Sequence, residues 1–200
     1  MKLNLAPWAT ATTLLLGASA QAATLQGTFT ADDFATVYLS TDLSPDAADL
    51  IVDKATTWQS VSSFADVALA PGQDHFLLVS VRNSFGGMAM LIGDFRIEGA
   101  GFSFDNGSSA LSTGGQYWTA SSLGFEQTSL PHVIGSNGAS PWGHVPGVSP
   151  DAAFIWDSPT FVADGRAYFV AHIAAVPEPG TWALWTAGLV LMGGLARRRR

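Results

Sequence analysis

The 200-residue chain contains no cysteine. Disulfides, thiolate metal sites, thiol nucleophiles and thiol redox couples are therefore excluded, and the fold must be held by packing alone. Basic side chains are also scarce. Of nine Lys and Arg, five (Lys2 and Arg197 to Arg200) stand at the two ends, leaving Lys54, Arg82, Arg96 and Arg166 between them. Fifteen of the 16 acidic residues lie in that middle region, which carries a net charge of about −11 at neutral pH. Such a body repels phosphate backbones, so nucleic acid is not expected as a partner, whereas divalent cations and neutral glycans are compatible.

Other absences narrow the chemistry. Glutamate is almost missing from the middle, with only Glu98 and Glu126, so no distinctive carboxylate pair for glycoside hydrolysis stands out. There is no Gly-x-Ser-x-Gly elbow, since Gly138-Ala139-Ser140-Pro141 lacks the pattern, and no phosphate-cradling glycine loop. The four histidines, His75, His132, His144 and His172, show no zinc-site spacing. A non-enzymatic protein without a cofactor is expected.

What is present is a palette of Gly, Ser, Thr, Asp, Phe and Trp suited to short strands and turns. Thr24 to Ala31 alternates, with Leu25, Gly27 and Phe29 on one side and Thr24, Gln26 and Thr28 on the other. Asp32-Asp33 predicts a turn, and Ala35 to Ser40 a second strand. Thr41 to Asp53 predicts a loop with one helical turn from Pro45 to Leu50. Further strands are expected within Val61 to Ala70, over His75 to Asn83, over Met88 to Ile97 and through Phe102 and Phe104. Ala152 to Trp156 and Arg166 to Ile173 would close the body. His75 to Asn83 is almost continuously apolar, as a strand buried on both faces would be. Asn106-Gly107-Ser108 reads as a turn. About 150 residues suffice for one core. Many short strands with frequent turn signals predict an all-β antiparallel sandwich over residues 23–175.

The two ends have a different character. Met1-Lys2, the apolar stretch Ala9 to Ala18 and the small-x-small site Ala20-Gln21-Ala22 read as a secretory signal peptide over residues 1–22, with Ala23 the first mature residue. At the other end, Pro177-Glu178-Pro179 lacks two backbone donors and breaks any regular element. An apolar run over about 181–196 follows, then Arg197 to Arg200. Roughly 17 helical residues span about 25 Å, against a hydrocarbon core of about 30 Å. A short transmembrane helix is expected, with Trp182 and Trp185 at one interface and the arginines held in the cytoplasm. An inner-membrane-anchored precursor follows, with its body outside.

In order and position, Val176-Pro177-Glu178-Pro179, the apolar helix and the terminal arginines resemble the PEP-CTERM sorting signal of exopolysaccharide-producing Gram-negative bacteria, over residues 176–200. The resemblance implies recognition at Pro177, Glu178 and Pro179 by exosortase, a membrane-embedded transpeptidase, after signal peptidase has removed the leader. It also implies a final place at the cell surface or outside the cell, and a link to exopolysaccharide or biofilm matrix. The middle resembles galactose-binding-like jelly-roll modules. The landmarks are Thr30 to Leu39, Leu69-Ala70-Pro71-Gly72 before the long strand, Trp118, Ser140-Pro141-Trp142-Gly143, Ala153 to Trp156 and Ala167-Tyr168-Phe169. The Asp-rich segment Ser40 to Lys54 departs from the tight hairpin of that family.

Two further sites are candidates. Asp32, Asp33 and Asp42, with Asp46 and Asp49 near them in sequence, offer hard oxygen ligands suited to calcium, although they match no EF-hand spacing and such aspartates also serve turn hydrogen bonds. Trp58, Tyr117, Trp118 and Trp142 lie in loop-like sequence. They could stack on sugar rings, which makes a carbohydrate-binding module the alternative function, or they could fill the core.

Overall fold

In the computed structural model the described residues are 22–127, 129–176 and Gly188, without the side chains of residues 54–56. Residues 1–21 of the expected signal peptide (1–22), the Pro177-Glu178-Pro179 motif and nearly all of the expected helix over 181–196 lie outside them. Among the described residues no helix is long and apolar enough to cross a membrane.

Eleven strands follow one another among the described residues: β1 Thr24–Ser40, β2 Leu50–Thr56, β3 Ser62–Ala68, β4 His75–Asn83, β5 Met90–Glu98, β6 Phe102–Phe104, β7 Ala110–Ser112, β8 Thr119–Ser121, β9 His132–Ser136, β10 Ala153–Trp156 and β11 Gly165–Ala175. All of their pairings are antiparallel. They form one curled sheet with two walls joined by β1. Thr24 to Asp32 pair with β5 and, in part, with β3 in the first wall, which β7, β10 and β9 extend. Asp33 to Ser40 pair with β2 and β4 in the second wall, which β11, β6 and β8 extend. The expected turn at Asp32-Asp33 is thus a corner inside one continuous strand, and the peptide joining the two residues is cis.

Alternation places Leu25, Phe29, Val37, Val79, Phe95 and Phe169 in a shared core between the walls. Trp156 of the first wall and Phe169 of the second stand 6.0 Å apart by ring centroids, so the walls face each other. Gly27 lies beneath two other rings, those of Phe64 and Phe95. A Cβ there would stand 2.6 Å from Phe95 and 2.7 Å from Phe64, so only glycine lets those rings close over the strand.

Both walls are also covered over part of their outer faces. Leu78 of β4 points outward into a cluster with Phe125 and Val170, while Leu77, Val79 and Val81 point inward. That accounts for the unbroken apolar run. On the first wall Met90 and Ile92 lie beneath Trp142, Val145 and Val148, carried by the segment between β9 and β10, together with Phe154 of β10. Asn137 holds this cap closed. Its Nδ2 group is directed at the carbonyls of Val145, Val148 and Ser149 (3.2, 2.9 and 3.1 Å), and its Oδ1 accepts the Val145 N–H.

The expected loop over 41–53 is corrected at its end, because Leu50 to Asp53 belong to β2. Pro45 to Leu50 forms no helical turn. Asp46 Oδ1 accepts the Ala48 N–H and Asp49 Oδ2 accepts the Asp46 N–H, which closes a tight turn instead. Strands β7, β8 and β9 lie where no strand was expected.

Candidate functional site

The structure separates the three predicted calcium ligands. Asp42 stands in the exposed loop after β1 and accepts the Ser44 N–H at 2.7 Å. Asp32 and Asp33 sit at the corner of β1. Asp32 Oδ2 accepts the Trp142 Nε1–H at 3.0 Å, and Asp33 Oδ2 accepts the N–H groups of Ser84 and Phe85 at 2.8 and 3.0 Å. Burial pushes the Asp32 carboxyl up to about 6, helped by its hydrogen bond to Asp33 and opposed by the Trp142 donor. Among the described residues no group of three His, Asp or Glu is placed to hold a metal ion. The aspartates at the corner join the 84–85 turn and the cap to β1.

The four predicted sugar-stacking aromatics are not one surface. Trp118 is 0% exposed and Trp142 5%. Trp118 packs on Phe95 with ring centroids 5.4 Å apart and donates its Nε1–H to the Ser112 carbonyl. Trp142 packs on Phe154 at 5.0 Å. Neither indole offers a face to a sugar, and of the two alternatives, stacking or core filling, both take the core. Their local sequence is loop-like, but those segments fold back over apolar strand faces. Trp58 is half-buried against the cap, and Tyr117 is 48% exposed.

A different feature emerges on the outer face of the first wall, below the edge of the cap. Here the wall is uncovered and forms an open cleft of about 700 Å³. Register builds it from two rows. Ser63, Thr28, Asp94 and Ser112 lie side by side across β3, β1, β5 and β7, and Gln26, Arg96 and Ala110 form the next row. Asp94 accepts hydrogen bonds from the Ser112 hydroxyl and the Ser149 N–H, which ties the cleft to the rim of the cap. Gln26 donates to Glu98 at 2.7 Å. None of the predicted aromatics lines this cleft. The signal for it in the sequence was the polar side of the alternation, Gln26 and Thr28. The partners from β3, β5 and β7 became visible only with the register.

The approaches to the two sequence-terminal segments meet at one end of the body. The Ala23 carbonyl accepts the Leu69 N–H, and Gly99 approaches Ala23 so closely that a Cβ there would lie 3.0 Å from its Cα. Two residues on, the Gly101 carbonyl accepts the Val176 N–H at 2.8 Å. Asp74 accepts the Ala175 N–H. That bond, with His172 beside it, holds the Asp74 carboxyl below its ordinary value. His172 also contacts Asp105 at 2.7 Å. The last strand is therefore fastened to within one residue of Pro177.

Residues 175–200 match the PEP-CTERM protein-sorting motif. The chain carries a PEP-CTERM sorting signal. This marks it as an exosortase-targeted, exported protein that transits a membrane. The match begins one residue before the boundary read from the sequence, at the end of β11, so the PEP-CTERM segment adjoins the folded body directly. No curated protein and no solved structure matches the chain.

Proposed function

We propose that the chain is a non-enzymatic envelope or extracellular-matrix protein. It is delivered as an inner-membrane-anchored precursor, freed of its leader by signal peptidase, processed by exosortase at Pro177-Glu178-Pro179, and linked to exopolysaccharide in a biofilm. The observation that carries this reading is the sorting motif over 175–200. The junctions support it. Ala23, the expected first mature residue, is already bonded to Leu69, and Val176 is the last residue before Pro177-Glu178-Pro179. Both expected processing sites therefore flank the sandwich at the same end, near Gly99 and Gly101, and that end faces the membrane in the precursor. The sandwich is read as a jelly-roll of the galactose-binding-like kind, on the sequence landmarks together with the all-β architecture.

The test replaces Pro177, Glu178 and Pro179 by alanine in the producing cell. The account expects the precursor to accumulate in the membrane fraction with its arginine tail retained. Release with the same kinetics as the parent chain would refute it.

A second reading, carbohydrate binding, no longer rests on loop aromatics, since two of the four are buried. The observation favouring it is the polar cleft on the first wall.

A further inference from the structure

We propose that the cleft on the outer face of the first wall binds a neutral sugar chain through the side chains of Gln26, Thr28, Ser63, Arg96 and Ser112. The volume of about 700 Å³ is that of a small-ligand site, for which roughly 300–1,000 Å³ is usual. The floor consists of β1 and β5, whose backbone groups are taken up by their neighbours in the sheet. The floor itself thus offers a peptide strand no edge to extend, and edges are found only at its sides, where β3 and β7 each pair with a single described strand. What remains available is a field of side-chain donors and acceptors, interspersed with Phe64, Phe95 and Leu111. Successive positions along each strand lie about 6.6 Å apart on one face, and neighbouring strands about 4.8 Å apart. Hydroxyls both donate and accept, as sugar hydroxyls do, so the two sets complement each other without net charge.

Arg96 is exposed and has no ion-pair partner among the described residues, whereas Arg82 is bound to Asp164 at 2.8 Å. Its guanidinium is a fixed fork of donors free to meet ring or hydroxyl oxygens. Gln26 gives its Nε2–H to Glu98 and keeps its carbonyl oxygen as an acceptor. Asp94 has both oxygens engaged, by the Ser112 hydroxyl and the Ser149 N–H. It acts as a positioning residue that fixes Ser112 and the rim of the cap. The charge of the body selects the ligand class. With fifteen acidic against four basic side chains between the two terminal segments, the body repels polyanions, and one arginine beside one aspartate leaves the cleft neutral.

The proposal deepens the second reading above and is independent of sorting, which is measured by mass. Its test uses the full chain in detergent. The chain is titrated calorimetrically with neutral oligosaccharides of glucose, galactose and mannose, and with an alginate oligomer as the acidic arm. Binding of at least one neutral oligomer is expected, with Arg96→Ala and Ser63→Ala each weakening it while the melting temperature holds. Loss of a charged donor should cost roughly ten-fold or more in Kd, and loss of a neutral hydroxyl about three-fold. The proposal fails if no neutral oligomer binds, if alginate binds in preference, or if Arg96→Ala leaves the affinity unchanged.

Discussion

Asp32→Asn tests the reading of the β1 corner quantitatively. The Asp32 carboxyl is raised from 3.8 to about 6, first by burial and then by its hydrogen bond to Asp33. The folded protein therefore keeps a proton that the unfolded chain releases. The sign follows from linkage. For an acid raised on folding, the cost is absent below the unfolded value, grows as pH rises from about 4 to about 6, and is complete above that. For a fully buried group the rise would be worth about 3 kcal/mol, but Asp32 is only half-buried, and solvent screening brings this to about 1 kcal/mol. Asparagine mimics the protonated acid. Its carbonyl can accept the Trp142 indole N–H, and its amide can donate to Asp33. Asp32→Asn should therefore stabilise the protein by about 1 kcal/mol at pH 7.5, which is roughly 2–4 °C in Tm for a body of this size, and by almost nothing near pH 4. The assay is thermal melting of parent and variant across pH 4–7.5, read as the difference between the two. Other titrating groups, such as Asp74, cancel in that difference. A variant uniformly less stable, or a difference that does not change with pH, would show that the corner is held by an Asp32 carboxylate and refute the reasoning.

Three further outcomes are expected. Gly27→Ala should cost about 1–3 kcal/mol in urea unfolding, because its methyl would enter the space held by the Phe64 and Phe95 rings; a neutral effect would mean those rings do not close over the strand. Trp118→Ala should cost about 3–5 kcal/mol through the cavity it leaves, so a fully stable variant would contradict its core placement. Asn137→Ala should leave backbone groups of the cap without their partner, costing about 1–3 kcal/mol and speeding amide exchange over 142–152; unchanged exchange would show that the cap closes without it.

The parts legible in the sequence were those with a local cause. The apolar run of β4 required cover on both faces, and Leu78 beneath Phe125 supplies it. The sorting tail was legible because its three chemical features follow one another without needing a fold. Strands of three residues, such as Ala110–Ser112 and Thr119–Ser121, carry too little periodicity to stand out, and only the edges of β5 and β11 order them. The buried indoles were left between core and surface because a loop-like neighbourhood says nothing about what the loop folds onto. The available hint was Met90-Leu91-Ile92, apolar on both faces of its strand, which demands a cap. The cleft was half legible: alternation separated Gln26 and Thr28 from the core, but bringing Ser63, Arg96 and Ser112 beside them depends on long-range register.

The central claim, that the chain is exported and trimmed at both ends around one sandwich, is tested most directly by the intact mass of the protein recovered from the producing cell. The account predicts a species that begins at Ala23 and lacks Arg197 to Arg200, found in the envelope or the medium. A full-length species, Met1 to Arg200, recovered from the soluble cytosolic fraction would contradict it.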